Sequence, residues 1–511
     1  MTKRPNILFI LTDDQGAWAM HCSGNSEIET PNLDRIAAEG IRFENFFCVS
    51  PVCSPARASI YTGTIPSRHG VHDWLAKGHV SEDRLDDGLR EMIHRDDPPY
   101  EYLWPQNQLK GDEGIRYLDA HKTFTETLAE SGYTCGLSGK WHIGDSAMPQ
   151  AGFTYWHTEA MGGDNYFYPV VFENGKMTMK RDVYVTDYIA NNALDFIRGH
   201  CRDEAPFFLS VNFTAPHSPW AAECHPAAYI DRYKDCPFDS IPDLPPHPWV
   251  AGADQTREEW DRKPHPGVRF IHAKYAPIRE EWEAYRRESL TGYFAAVTAM
   301  DHAVGCLLDE LDRLGIAEDT MVVFTSDNGS NMGHHGIFGK GNGTNPQNMY
   351  DTSVKVPGLF RFPGRIPAGR VSEELVSHYD LYDTILELAG VPHEPDPARP
   401  GQSFAGLLTG ETDRFRDEVV VFDEYGPVRM IRTKEWKYVH RYPDGPDELY
   451  DLVNDSDEYT NRIDDPSETG RVREMRRRLE NWFDRYVDPE LDGSKTDCCG
   501  KGQLDSHHFI R

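Results

Sequence analysis

Asn6-Ile7-Leu8-Phe9-Ile10-Leu11-Thr12-Asp13-Asp14 carries an unbroken apolar run that ends in two carboxylates. An apolar run without alternation is the pattern of a strand buried on both faces, as strands of a parallel sheet are. Similar runs recur at Tyr133 to Leu137, Phe207 to Phe213 and Met321 to Phe324. Between them lie segments of helical period. A helix with Thr30 as its expected N-cap and Pro31 at its first position carries Leu33, Ile36 and Ala37 on one face and stops at Gly40. Thr123 to Ser131, Val185 to Arg198, Glu283 to Leu314 and Ser377 to Leu388 read as further helices. Alternating helices and buried strands predict an α/β fold with a large mixed, mostly parallel sheet flanked by helices.

After about residue 410 the pattern changes. Val419–Phe422, Val428–Thr433 and Lys437–His440 read as strands of a small antiparallel sheet, and Arg471–Tyr486 as a charged amphipathic helix. The expected organisation is an α/β domain over 1–410 and a C-terminal α+β subdomain with a tail over 411–511. Residues 75–118 and 218–280 read as irregular insertions.

The chain has 511 residues, with 83 acidic against 53 basic side chains and a formal charge of −30. That balance excludes a nucleic-acid binder, which needs a basic face. It does not exclude an anionic substrate, because a local field can oppose the global one. The apolar run after Lys3-Arg4 is too short for a secretory signal and lacks a small-residue cleavage site. No segment is apolar for long enough to span a bilayer. Ten cysteines show no disulfide framework. The expectation is a cytoplasmic protein with free thiols and no membrane partner.

Four buried strands are followed by charged or imidazole residues: Asp13-Asp14, Lys140 with His142, His217, and Asp327-Asn328. In open α/β sheets, ligands bind beyond the carboxyl ends of the strands, so these residues are expected to converge. Asp13, Asp14, Asp327 and Asn328 offer hard oxygen donors, which suit Ca²⁺ or Mg²⁺ and not zinc.

Cys53-Ser54-Pro55-Ala56-Arg57-Ala58-Ser59-Ile60-Tyr61-Thr62-Gly63 is the second decisive stretch. A phosphatase-type cysteine loop would need an arginine at position 59, where serine stands. A zinc site would need clustered ligands, and Cys48 and Cys53 stand alone. The stretch reads as a loop, with a helix beginning beneath it at Ala58 to Thr62.

Cys-x-Pro-x-Arg followed by Thr-Gly resembles the signature of type I sulfatases, whose fold is alkaline phosphatase-like. The resemblance implies that Cys53 is oxidised to formylglycine by a maturation enzyme. It implies one divalent cation held by Asp13, Asp14, Asp327, Asn328 and converted Cys53, with Ca²⁺ preferred over Mg²⁺ or Mn²⁺. Arg57 would hold the hydrated aldehyde. Lys140, in a Gly-Lys-x-His match, and Lys340 would contact sulfate, with Lys355 a competitor for the second place. His142 would take a proton during sulfate release, and His217, in Ala-Pro-His, would protonate the leaving oxygen.

The implied activity is hydrolysis of sulfate esters. Aromatic- and His-rich insertions suit small sulfated sugars of glycosaminoglycan origin, with His72, Trp74, Trp104, Tyr166 and His335 as candidate substrate contacts. Alternatives are an arylsulfatase, a phosphonate monoester or phosphodiester hydrolase, and an inactive sugar-binding homologue. A homo-oligomer is compatible with the sequence. The tail from Cys498 to Gln503, with His507-His508-Phe509 beyond it, is expected to fold over a cleft.

Overall fold

The computed structural model describes residues 4–109, 113–163, 165–173, 175–250, 256, 258, 262, 281–423, 427–495 and 502–503. Strand Asn6–Thr12 is buried throughout. It pairs in parallel with Thr320–Ser326 on one side and Phe207–Asn212 on the other. Its side chains alternate between two cores. Ile7, Phe9 and Leu11 pack with Phe124, Leu128 and Ile385. Leu8 and Ile10 pack with Ile36, Ile189 and Phe294 on the opposite face. Two covered faces account for the unbroken apolar run, and each fully buried side chain of this kind contributes about 1.5–3 kcal/mol.

The sheet has ten strands, in spatial order Arg370–Ser372, Ile41–Phe43, Gly358–Arg361, Thr320–Ser326, Asn6–Thr12, Phe207–Asn212, Thr134–Gly139, Tyr155–Glu159, Val170–Glu173 and Lys176–Met179. The run from Thr320–Ser326 to Tyr155–Glu159 is parallel. Antiparallel pairings occur outside it. The five parallel strands therefore present their carboxyl ends at one edge.

Local readings needed four corrections. Helix Cys53–Thr62 begins at the cysteine itself and is buried along its length. Pro55 falls in the first turn, where a missing N–H costs nothing. Thr30 does not cap helix Pro31–Ala38 with its side chain. Its hydroxyl accepts from the His21 N–H, and Asp301 of helix Trp282–Leu314 takes the N–H groups of Asn32 and Leu33. The segment after residue 75 contains helices Asp87–Ile93 and Tyr100–Leu109. Asp86 caps the first by accepting from the Leu89 N–H, and Leu89 and Ile93 enter a core with Val170 and Met177. The second insertion carries helix Ala227–Tyr233, while most of 251–280 lies outside the described residues.

The C-terminal sheet has four antiparallel strands, Val419–Asp423, Val428–Arg432, Trp436–Arg441 and Glu448–Asp451. Val420, Phe422, Ile431, Tyr438 and Leu449 face Met475, Leu479 and Phe483 of helix Thr469–Tyr486. The alternate residues Val419, Val421, Val428, Met430 and Val439 join the core of the large sheet. Among the described residues no helix is long and apolar enough to cross a membrane.

Candidate active site

Strand register sets the site. Thr12 lies opposite Ser326, Leu11 opposite Asn212, and Gly139 opposite Asn212. The next residues, Asp13, Asp327 and Lys140, therefore emerge side by side, and each is fully buried. Helix Cys53–Thr62 points its N-terminus, with its partial positive charge, at the same edge. Arg57, one turn into that helix, ties the strands together. Its Nε donates to Asp327 Oδ2 at 2.8 Å, and its Nη1 donates to the Lys140 carbonyl at 2.8 Å. Nη2 lies 3.5 Å from Asp13 Oδ2. Asn212 Nδ2 also donates to the Lys140 carbonyl.

Lys140 pairs with Asp13 Oδ2. Lys340 pairs with Asp14 Oδ1 at 2.5 Å. Lys355 instead pairs with Asp351 at 3.1 Å, in a network with Arg432 and Lys437. Asp14 has a left-handed backbone, φ 61°. Its carbonyl accepts from Tyr293 Oη at 2.9 Å, and the same hydroxyl accepts from the Gly16 N–H. The strained turn is thus held by the long helix, and it swings the Asp14 carboxylate towards Asn328 Nδ2 at 2.7 Å.

Opposing charges shape the titration of these groups. Burial alone would raise Asp13, but Lys140, then His217, Arg57 and Lys340, hold it well below the usual carboxylate range. Asp327 is pushed up to about 6 by burial and by the charge of Asp13. Burial raises the Cys53 thiol, with Lys340 and Lys140 acting against it. A thiol kept protonated is a poor nucleophile.

Two buried oxygens here, Asp13 Oδ1 and Asn328 Oδ1, accept no hydrogen bond. Orphaned buried acceptors beside two carboxylates that repel one another are what a hard cation satisfies, and all the donors are oxygens. Asp13, Asp14 and His217 also place one donor atom each within 4.8 Å of one another. The residues fit a divalent cation.

His142 and His217 stand at this edge with defined tautomers. The Leu75 carbonyl lies 3.3 Å from His142 Nε2 and 2.9 Å from His79 Nε2. A carbonyl only accepts, so both rings carry the proton on Nε2 and His142 Nδ1 is left as a bare lone pair without a partner. Burial, then Lys140 and His79, keep the His142 pKa far below its ordinary value. His217 Nδ1 donates to the Ser218 carbonyl at 2.7 Å, and its Nε2 lies 3.7 Å from Asp14 Oδ2.

The expected substrate contacts are placed differently from one another. Tyr166 is buried, stacks on Tyr184 and donates to the His217 carbonyl at 2.7 Å. It supports the His217 turn instead of presenting a face to a cleft. His72 is buried as well, and Trp74 is half-buried on the same loop. His335 stacks on Tyr350 at 3.6 Å and feels the charges of Lys437 and Asp351. Trp104 lies in helix Tyr100–Leu109, its side chain outside the described part.

Three contributors escaped the sequence reading. Gly162 approaches His142 so closely that a Cβ there would lie 1.9 Å from Nε2. Glu159, at the end of its strand, is buried against Thr214 and pushed up to about 7 by burial. Leu75 acts through its carbonyl. Of these, only the Gly162-Gly163 pair leaves a mark in the sequence.

Comparison with known proteins identifies the family. The family model described as "Sulfatase" matches residues 5–391, and one described as "N-sulphoglucosamine sulphohydrolase, C-terminal" matches 333–485. An N-acetylglucosamine-6-O-sulfatase of Bacteroides thetaiotaomicron is 28% identical over 97% of this chain and 89% of its own length. An arylsulfatase of Clostridium perfringens is 27% identical over 96% and 97% respectively. A solved structure described as being in complex with its substrate D-glucosamine-2-N,6-O-disulfate superposes with a TM-score of 0.71, at 25% identity, over 96% of this chain and 99% of that one. A phosphonate monoester hydrolase of Agrobacterium radiobacter shares the fold, with a TM-score of 0.65 over 95% and 96% of the two chains, at 21% identity. The chain belongs to the sulfatase family and is a sulfatase on an alkaline phosphatase-like fold.

Proposed function

We propose that this sulfatase depends on formylglycine at position 53 and on one divalent cation, and that it hydrolyses sulfate esters of small amino sugars derived from glycosaminoglycans. The observation that carries the reading is the set Arg57, Lys140 and Lys340 ranged against Asp13, Asp14 and Asp327 at the N-terminus of the Cys53 helix. It joins three fixed cations to a donor set that still has unsatisfied oxygens.

Asp13, Asp14, Asp327, Asn328 and residue 53 would hold the cation, with Ca²⁺ favoured by the all-oxygen set. When bound, it neutralises charge that builds on the sulfate oxygens. As a hydrated aldehyde, residue 53 would supply the attacking hydroxyl and a second hydroxyl for release, which a thiol lacks.

The chain's own groups do the rest. Lys140 and Lys340 bring ammonium charge to the sulfate oxygens without reorganising. Arg57 keeps Asp327 and the Lys140 backbone in place. His142 accepts a proton at Nδ1. His217 keeps its Nδ1 proton on the Ser218 carbonyl and takes up a second one at Nε2; burial opposes the charged ring, while Asp14 and Asp13 favour it. It delivers that second proton to the departing sugar oxygen, which is a poor leaving group when unprotonated. In sum, one water is added across the S–O bond, giving alcohol and inorganic sulfate.

The amino-sugar assignment rests on the two relatives named above with glucosamine derivatives in their descriptions. The test is a panel of positional isomers of sulfated glucosamine, galactosamine and uronate, with p-nitrophenyl sulfate and an aryl phosphonate for comparison. The protein used should show the loss of about 18 Da that conversion of Cys53 produces. Turnover of a sulfated amino sugar above the aryl esters supports the assignment. Turnover of p-nitrophenyl sulfate alone rejects the sugar, and preference for the phosphonate rejects the sulfate ester as the natural substrate.

A further inference from the structure

The C-terminal residues Gly502 and Gln503 lie more than four hundred positions from the loop they touch, yet Gln503 is fully buried against it. Its side chain spans the loop: Nε2 donates to the Gly70 carbonyl at 2.9 Å, and Oε1 accepts from the His72 N–H at 2.9 Å. Its backbone pairs as a strand would. The Gln503 N–H donates to the Trp74 carbonyl at 2.9 Å, and its carbonyl accepts from the Ala76 N–H at 3.0 Å. Gly502 lies flat on Trp74, and a Cβ there would come within 2.6 Å of the Trp74 carbonyl; its φ of +71° also calls for glycine. Four hydrogen bonds from one residue, two of them using both ends of a neutral amide, form a built strap.

The strapped loop carries Leu75. Its N–H donates to Ser54 Oγ, next to Cys53, at 3.1 Å. Its carbonyl is the acceptor that fixes the protons of His142 and His79 on Nε2. The acceptor is a backbone carbonyl, so the geometry of the backbone between Gly70 and Ala76 decides which nitrogen of His142 is the base.

We infer that Gln503 is a positioning residue for catalysis: the tail straps the Gly70–Ala76 loop so that the Leu75 carbonyl presents His142 Nδ1, unprotonated, to residue 53. The inference rests on the role proposed above for His142. It deepens that role by adding a distant part of the chain to the site. Lys140, Lys340 and the carboxylates make no contact with the strap in the hydrogen bonds described, so sulfate binding and proton transfer separate cleanly.

The experiment compares the parent with Gln503→Ala, Gln503→Glu and a chain ending at Lys495, each with measured aldehyde content. In the unconverted and the converted proteins alike, amide exchange over residues 70–79 is followed by mass spectrometry. The strap predicts faster exchange in that peptide for Gln503→Ala and for the truncation, with the central strand Asn6–Thr12 unchanged. It predicts that kcat falls about tenfold or more while KM stays within about threefold, as expected when a proton-transfer group is misplaced and binding is kept. Gln503→Glu keeps the acceptor for His72 but sets a second carboxylate oxygen against the Gly70 carbonyl in a fully buried place, so its exchange rises and its kcat falls at least as far as in Gln503→Ala. Unchanged exchange over 70–79, or unchanged kcat with normal aldehyde content, overturns the strap. Faster exchange with an equal loss in the central strand also overturns it, because the tail would then be acting on global stability. A formylated parent that turns over no sulfate ester overturns the underlying functional reading instead, and the exchange measurement on the same protein still decides the strap.

Discussion

Arg57 Nε donates to Asp327 Oδ2 at 2.8 Å, and both side chains are wholly buried. The pair links the helix that starts at Cys53 to the strand that follows the long helix Trp282–Leu314. Buried ion pairs gain little over apolar packing, but removing one partner leaves an uncompensated charge. The pair is thus better understood as fixing geometry at the site than as a source of stability.

Arg57→Lys removes the planar fork that reaches Asp327, the Lys140 carbonyl and Asp13 at once. Lysine is not a conservative replacement at such a place. The expected result is a loss of about 3–5 kcal/mol in stability together with loss of turnover. Thermal unfolding and steady-state kinetics on aldehyde-matched samples check both.

Removal of divalent cation should destabilise the protein as well as silence it. Asp13 and Asp327 are buried together, and Asp13 Oδ1 and Asn328 Oδ1 lack partners. The melting temperature of the parent is expected to rise with Ca²⁺ and to fall on chelation, following the linkage of a ligand that binds only the folded state. In Asp13→Ala that dependence should shrink to a small residue, as read by calorimetry across a Ca²⁺ titration.

Gly162→Ala tests the close approach to His142. The added Cβ would sit 1.9 Å from Nε2, so the ring must move off the Leu75 carbonyl. A kcat loss of about a hundredfold with little change in KM is expected, because a displacement of about 1 Å has that effect on a reacting group. Circular dichroism should show the fold intact.

His378 contributes to the pH dependence of stability. It is fully buried, its Nε2 3.2 Å from Thr325 Oγ1, and burial lowers its pKa from 6.5 to about 3. The folded state thus binds a proton less readily than the unfolded one. The stability this gives is complete above pH 6.5 and is lost as pH falls towards 3, amounting to ~2 kcal/mol by pH 5. His378→Gln should be less stable at pH 7.5 and show a shallower fall of melting temperature between pH 7 and 5.

The large sheet was legible because its strands are buried on two faces. Leu8 and Phe9 serve different cores, so neither position admits a polar residue. The carboxylates Asp13, Asp14 and Asp327 and the lysine Lys140 were legible for a related reason: they come just after such strands, whereas Lys340 follows only the short strand Phe338–Gly339 and was reached through the family resemblance. What sequence did not disclose depends on backbone groups or on partners far away. Thr30 has the composition of a cap, but Asp301 outcompetes it from another helix. The expected Cys53 loop is the first turn of a helix, where Pro55 is tolerated. The fourth C-terminal strand, Glu448–Asp451, is too short to show a period. Of the tail expected to fold over a cleft, Gly502 and Gln503 pack on the Gly70–Ala76 loop, whereas Cys498 and His507-His508-Phe509 lie outside the described residues. Leu75 acts through a carbonyl that every residue possesses, so no reading of side chains would find it.

The central claim is that an aldehyde at position 53, held among these fixed charges, is the group that turns over sulfate esters. Preparations with graded conversion of Cys53, quantified by intact mass, measure this most directly when assayed with one sulfate ester in excess Ca²⁺. The account predicts a rate proportional to the aldehyde fraction, with none in Cys53→Ala and none at zero conversion. A rate independent of that fraction, or full activity in unconverted protein, would contradict it.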